Sequence, residues 1–273
     1  MIKERVIYGV GGGNPRDERM QIRYKEIGDL AREQSSKEIP NIALLPTAQW
    51  NGLHPEIQGR EFISECFTNN QCYINEILLG DVKPSDKETS IDEVKEILKN
   101  SDLLFVLGGD TRHLLRTLES KGLIPTFIEA YESGLVFSGS SAGLIWLSET
   151  CMSDSESASS PNNWSYIMLQ GIGVLPLPIN VHDNAGIAQG VVPPIGRQEQ
   201  FENELRDLES VPGLAVDEFV AVEVRNGMCV VHSPDERSGA YIVASINGQI
   251  LRRKIEGSID LLNSEGLLEF LKK

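Results

Sequence analysis

The segment Leu135-Val-Phe-Ser-Gly139-Ser-Ser141-Ala-Gly143-Leu-Ile-Trp-Leu147 places G-x-S-x-G between a strand-like run and a helix-like run. A serine hydroxyl is a weak nucleophile until geometry and a base activate it. A sharp strand-to-helix turn does the geometric part. It holds Ser141 in a strained conformation at the strand's C-terminal edge, and the small residues Gly139, Ala142 and Gly143 let strand and helix approach. The helix N-terminus then directs N–H groups toward developing negative charge. The pentapeptide alone is also compatible with an ordinary glycine-rich turn. A base is therefore required, and the chain has four histidines: His54, His113, His182 and His232. His113 falls inside a helical stretch, His232 on a hairpin and His54 in a surface-like segment. His182 ends the strand-like Pro178-Ile-Asn-Val181 and precedes Asp183-Asn184, the position where catalytic groups gather in open α/β sheets. A third group must orient the imidazole. Asp154 and Glu156 both lie between Ser141 and His182, and either one alone is also compatible with a solvated acidic loop. Ser to His spans only 182 − 141 = 41 residues. That is compact for an α/β-hydrolase order and points to a different fold carrying the same chemistry.

The elements that must position these residues follow from periodicity. Val6–Val10 reads as a strand ending in Gly11-Gly12-Gly13, and Met20, Tyr24, Ile27 and Ala31 mark a helix face. Further strands are expected at Ile42–Leu45, Cys72–Leu79, Leu103–Leu107 and Leu135–Ser138. Helical faces separate them, one opened by the capping box Ser90-Ile-Asp-Glu93. Continuous apolar strands alternating with helices imply a parallel sheet covered on both faces. The last third changes: Phe219–Val224, Met228–His232, Ala240–Ile246 and Gln249–Ile255 read as strands, with Asn226-Gly227 and Asn247-Gly248 as hairpin turns. Leu261–Leu271 closes as a helix. No internal repeat or linker interrupts the chain; Ser153–Ser160 is Ser-rich but only loop length. One α/β domain over residues 1–273 is expected, a largely parallel sheet with helices on both faces plus a C-terminal antiparallel hairpin extension.

Composition narrows the partners. With 25 basic and 40 acidic side chains the net charge is 25 − 40 = −15, and 40% of residues are apolar. A core can form, while nucleic acid and anionic membrane surfaces are disfavoured as partners. No apolar run approaches the ~20 residues of a spanning helix, and MIKERVIYGV lacks the apolar stretch of a signal peptide. Four cysteines without a C-x-x-C pair argue against a disulfide scaffold or zinc knuckle. Gly11-Gly12-Gly13-Asn14-Pro15 lacks the spacing of dinucleotide or P-loop motifs and reads as a tight turn at the sheet edge. A cytoplasmic protein is expected. The oligomeric state is open, a homodimer included.

The ordered set of motifs resembles the peptidase E and cyanophycinase group of serine peptidases, whose fold is similar to class I glutamine amidotransferases with serine at the elbow. The likeness spans nearly the whole chain. It rests on Gly11-Gly12-Gly13, Leu107-Gly-Gly-Asp-Thr111, Gly139-Ser-Ser-Ala-Gly143, Gly171-Ile-Gly-Val-Leu-Pro176 with Asn180-Val-His182, and Gly213-Leu-Ala-Val-Asp-Glu218. The resemblance implies Ser141 as nucleophile, His182 as base, and Asp154 or Glu156 as acid, Asp154 by its Ser-Asp-Ser motif and Glu156 by its distance from the serine. It implies backbone N–H groups of Gly109 and Ala142 as the oxyanion hole. It also implies Arg197, in Gly196-Arg-Gln-Glu-Gln200, as the cation for an acidic substrate side chain; a solvated arginine at a helix start fits the residues equally well. Two departures stand out: Asp110 replaces the usual Asn beside the oxyanion turn, within reach of substrate, and Val181 replaces the usual Pro.

The expected reaction is hydrolysis of a small peptide, such as an N-terminal Asp dipeptide, through an acyl-enzyme, with no metal or organic cofactor. The alternatives are a cyanophycinase-like β-aspartyl peptidase, an esterase or acyltransferase using the same triad, and a binding or regulatory protein whose oxyanion turn is impaired by Asp110.

Overall fold

The computed structural model describes residues 4–49, 59–80, 86–157, 165–185 and 196–273. His54, and the end of the Ser-rich loop beyond Ser157, lie outside the described residues. The chain divides into two compact units, Met1–Gly9 with Gly13–Leu144, and Val10–Gly12 with Ile145–Lys273.

In the first unit strands and helices alternate: β1 (Val6–Val10), α1 (Glu18–Ser35), β2 (Asn41–Leu45), α2 (Gly59–Asn69), β3 (Tyr73–Glu76), α3 (Ile91–Asn100), β4 (Leu103–Val106), α4 (Thr111–Ser120), α5 (Ile124–Glu132), β5 (Val136–Ser140) and α6 (Ala142–Ile145). The strand order is β1-β5-β4-β2-β3, and β2 pairs in parallel with both β3 and β4, as β4 does with β5. These strands are continuous apolar runs because helices cover them; Val6–Val10 and Leu103–Val106 are buried throughout. Tyr24 of α1, Phe67 of α2 and Phe105 of β4 meet edge-to-face, with centroids 5.1–6.0 Å apart. That geometry suits the aromatic quadrupole. Helix starts follow local chemistry: Asp17 caps α1, and Ser90 with Glu93 forms the full capping box of α3.

The expected strand Cys72–Leu79 is shorter in the structure. Only Tyr73–Glu76 pairs with β2, although the Ile77 N–H still reaches Leu44 O at 2.8 Å. Helix α5 has no counterpart among the sequence-based expectations. Proline sits in its first turn, where the missing N–H would have no intrahelical partner.

The second unit contains β6 (Thr150–Ser153), β7 (Ile167–Gln170), β8 (Ile179–Val181), α7 (Arg197–Asp207), β9 (Gly213–Val216), β10 (Ala221–Arg225), β11 (Met228–His232), β12 (Ala240–Ile246), β13 (Gln249–Lys254), β14 (Ser258–Asp260) and α8 (Ser264–Lys272). One sheet runs β13-β12-β9-β8-β6-β7. Its centre, β6, β8 and β9, is parallel, and β7, β12 and β13 add antiparallel edges. Strands β10, β11 and β14 pair antiparallel in that order. Both hairpins turn on Asn-Gly with positive φ at each residue: 49° and 94° at Asn226-Gly227, 52° and 74° at Asn247-Gly248. These are the conformations a two-residue I′ turn needs. Met152, Phe201, Leu205, Ala215 and Val243 form a core between α7 and this sheet. The architecture is thus mixed α/β with helices flanking largely parallel strands. Among the described residues no helix is long and apolar enough to cross a membrane.

The β5–α6 turn depends on backbone-to-backbone packing. A Cβ on Gly143 would sit 2.0 Å from Val106 O, and one on Gly139 would sit 2.2 Å from Gly143 O. Neither obstacle is a side chain that can swing away. Gly143→Ala is therefore expected to destabilise the chain by about 3 kcal/mol. Thermal unfolding would show this as a fall in Tm of roughly 5–10 °C; an unchanged Tm would mean that strand and helix are not in this close register.

Candidate active site

Ser141 is the single residue between β5 and α6, and its φ is 56°. An L-residue with a side chain costs on the order of 1–3 kcal/mol in that region, so the surrounding turn must hold it there. The holding groups are Gly139, Gly143 and Val106, as above, together with the Gly108-Gly109 turn after β4. A side chain on Gly108 would come within 3.2 Å of Ser141 Cβ. Gly109 has φ 142°, and a Cβ there would meet Ala48 O at 2.3 Å. The Asp110 N–H donates to the same Ala48 carbonyl at 2.8 Å. Ala142 is buried as the first residue of α6. The Asp110 carboxylate caps α4 by accepting the His113 N–H at 2.9 Å, a task that asparagine performs equally well.

His182 follows β8 and also has a left-handed backbone, φ 53°. Its Nδ1 lies 2.8 Å from Glu218 Oε1. A carboxylate only accepts hydrogen bonds, so this contact places the proton of a neutral imidazole on Nδ1 and leaves the lone pair on Nε2. Glu218 reaches this position because β8 and β9 are parallel neighbours in register, Val181 opposite Val216. Residues just past the two strand ends therefore meet. Phe219, next along, has φ 65°.

The glycine turn after β1 ties these two strand ends together. Gly11 O accepts the His182 N–H at 3.0 Å, and Gly12 O accepts the Phe219 N–H at 2.8 Å. Gly12, at φ 110°, also makes room for the imidazole: a Cβ there would fall 2.1 Å from His182 Cε1 and 2.5 Å from Nε2. The triple glycine expected as a tight turn thus has a second task, which is to leave space for the histidine ring.

The other sequence-predicted residues lie as follows. Asp154 faces Arg197, whose Nη2 donates to Oδ2 at 2.7 Å. Arg197 Nη1 donates to Val181 O at 3.0 Å, and the guanidinium stacks 5.0 Å from the Tyr166 ring. The Arg197 side chain is only 7% exposed, and Asp154 is 39% exposed. Arg197 is therefore an internal cation tied to the residue before His182. Glu156 is exposed on the same loop. His232 pairs with Glu223 at 2.9 Å on the β10–β11 hairpin. The carboxylate beside His182 that the sequence reading did not name is Glu218. Its legible signal was an acid at the end of Gly213-Leu-Ala-Val-Asp217, a segment already singled out; what was lacking was the adjacency of β8 and β9.

Gly12→Ala is expected to push the imidazole off Glu218 and to lower stability by about 1–3 kcal/mol. The proton on His182 Nδ1, read in imidazole 1H–15N spectra, should lose its hydrogen-bonded downfield shift. A parent-like signal would show that the ring does not lie against this turn.

The chain's relatives agree with this architecture. A search of curated proteins finds no match. Among solved structures, a peptidase from an acI-B1 actinobacterium superposes with TM-score 0.62 at 16% identity, covering 95% of this chain and 97% of its own. A putative peptidase E protein from Listeria monocytogenes EGD-e superposes with TM-score 0.56 at 15% identity, covering 85% and 100%. At these identities the likeness is one of fold. The model of peptidase family S51 matches residues 10–231. With most of its length inside that match, the chain belongs to peptidase family S51, the family of peptidase E and cyanophycinase.

Proposed function

We propose that the protein is a serine peptidase of the peptidase E type that hydrolyses small peptides through an acyl-enzyme, with Ser141 as nucleophile, His182 as general base and Glu218 as the carboxylate that orients the base. The observation that carries this reading is the 2.8 Å contact between His182 Nδ1 and Glu218 Oε1. With the proton of the neutral ring on Nδ1, Nε2 is the nitrogen that takes a proton, and Glu218 stabilises the imidazolium that forms when the proton arrives. The left-handed backbone of Ser141 supports the nucleophile role, because such strain persists where the surroundings over-determine it.

In the proposed cycle Ser141 Oγ attacks the scissile carbonyl while His182 Nε2 accepts the hydroxyl proton. The N–H groups of Gly109 and Ala142 receive the oxyanion, each worth about 10²–10³ in rate in comparable sites. The tetrahedral intermediate collapses as His182 protonates the departing amine. Water, deprotonated by the same imidazole, then releases the acid and regenerates Ser141. The Asp110 carboxylate is committed to the α4 cap, which favours a working oxyanion turn over an impaired one. The arrangement of helices and parallel strands supports the glutamine-amidotransferase-like class, and four unpaired cysteines fit a reducing, cytoplasmic setting.

Asp154 has a different place in this reading. Its carboxylate neutralises Arg197, and Arg197 is held too far inside to serve as a freely accessible receptor for an acidic substrate side chain. Substrate choice is then set by other groups.

A dipeptide panel containing N-terminal Asp and neutral residues tests the assignment. Ser141→Ala should abolish turnover. Glu218→Gln should lower kcat about 10²–10⁴-fold by disturbing the tautomer and orientation of the base. Asp154→Asn should stay within about tenfold of the parent. The reverse ranking, with Asp154→Asn inactive and Glu218→Gln active, would make Asp154 the acid. A parent that cleaves no member of the panel would contradict the peptidase reading.

A further inference from the structure

The His182–Glu218 pair rests on a buried charged layer that the proposed mechanism does not use. Asp183, directly after His182, has a side chain only 1% exposed. Its Oδ1 accepts Asn180 Nδ2 at 2.7 Å, and its Oδ2 accepts Nη2 of Arg252 from β13. The Asp183 N–H donates to Val216 O at 3.2 Å, which ties the start of this loop to the end of β9. Asp217, directly before Glu218, is buried as well. Its Oδ2 accepts the Gly239 N–H at 2.8 Å and lies 3.5 Å from the Tyr241 hydroxyl. The Arg252 guanidinium sits 4.0 Å over the Tyr241 ring. The two loops are also cross-linked directly, because Asn184 Oδ1 accepts the Glu218 N–H at 2.8 Å.

Two buried carboxylates therefore flank the imidazole–carboxylate pair in sequence, one on each strand end. Burial pushes the Asp217 carboxyl above its ordinary range; the charge of Asp183 pushes it the same way, and that of Arg252 opposes it. The three groups are thus within electrostatic reach of one another. Like charges in a poorly solvated site destabilise each other unless a cation lies between them. Arg252 is the cation positioned to do this. Its Nη2 bonds Asp183 while its guanidinium face stacks on Tyr241, an arrangement that lysine reproduces only as a point charge.

We propose that Arg252 is a positioning residue: by bonding Asp183 and stacking on Tyr241 beside Asp217, it holds the ends of β8 and β9 in the register that sets His182 against Glu218. This rests on the proposed role of those two residues in the reaction. Without the cation, Asp183 must move toward solvent or turn to another donor. Either response is transmitted through one peptide bond to His182, whose left-handed backbone leaves little room to absorb it. A misplacement of about 1 Å at a reacting group commonly costs about 10²-fold in rate.

The test uses the full chain with Arg252→Met, which keeps an apolar stem over Tyr241, and Arg252→Lys, which keeps the charge. Kinetics are measured on a peptide that the parent cleaves in a Ser141-dependent manner, and imidazole 1H–15N spectra are recorded for His182. Arg252→Met is expected to lower kcat roughly 10- to 100-fold with KM changed less than about twofold, and to shift the His182 Nδ1–H signal. Arg252→Lys should recover part of both. An Arg252→Met protein with parent-like kcat and a parent-like His182 signal would overturn the proposal; so would one that loses kcat while the His182 signal stays in place. If Arg252→Met does not fold, the double variant Arg252→Met/Asp183→Asn removes the stranded charge. It is expected to fold with a shifted His182 signal, and an unshifted signal would overturn the proposal. The spectra require no turnover, so a parent that cleaves no peptide would count against the peptidase reading while the spectral result still decides the role of Arg252.

Discussion

The hydrogen bond between His182 Nδ1 and Glu218 Oε1 is the contact that the strand pairing and turns around it combine to place. It exists because two parallel neighbours, β8 and β9, end in step. Everything nearby fixes that register. The glycine turn accepts an N–H from each strand end, Asn184 binds the Glu218 amide, and Asp183 and Asp217 anchor the adjoining residues to β9, β13 and the Gly239 amide. A single hydrogen bond of this kind contributes only about 1–3 kcal/mol when one partner is charged. Its importance is that it selects one tautomer and one orientation of the ring.

The residues proposed to carry the chemistry share a backbone signature. Ser141 and His182 both have φ near +55°, and Phe219 follows Glu218 at φ 65°. Such conformations are unfavourable for residues with side chains, so each must be held by contacts that cannot relax. Those contacts are backbone atoms: Val106 O and Gly143 O around the serine turn, Ala48 O at Gly109, and the Gly11-Gly12 turn around the histidine. This explains why the glycines matter as a set. They are the positions where a Cβ would collide with main chain or with the imidazole itself.

Much of this was legible in the sequence. Apolar runs such as Val6–Val10 and Leu103–Val106 are buried strands because nothing in them could face water, and the Asn-Gly pairs could make only tight hairpins. The Ser90–Glu93 capping box declares its helix from four residues. The positions of Ser141 and His182 at the ends of strands were readable because each follows a strand-like run. Glu218 was not, for a physical reason: its proximity to His182 comes from the pairing of strands 35 residues apart, Val181 with Val216, with His182 one residue and Glu218 two residues past that pair, and pairing order has no local signal. An acid was sought between Ser141 and His182, and Asp154 there turns out to face Arg197. Arg197 and Arg252 were equally illegible as internal cations, since a lone arginine in sequence gives no sign of whether a carboxylate awaits it inside.

The net charge of −15 says little about these interiors, where Arg252 meets the buried Asp183 and the Gly239 amide meets the buried Asp217. The central claim is that the imidazole held by Glu218 serves the serine held at the β5–α6 turn. Reaction with a fluorophosphonate, followed by peptide mapping, tests it most directly. The account predicts one modified residue, Ser141, and a labelling rate at least about 100-fold lower in His182→Ala. No labelling of Ser141, or labelling at a rate that ignores His182, would contradict it.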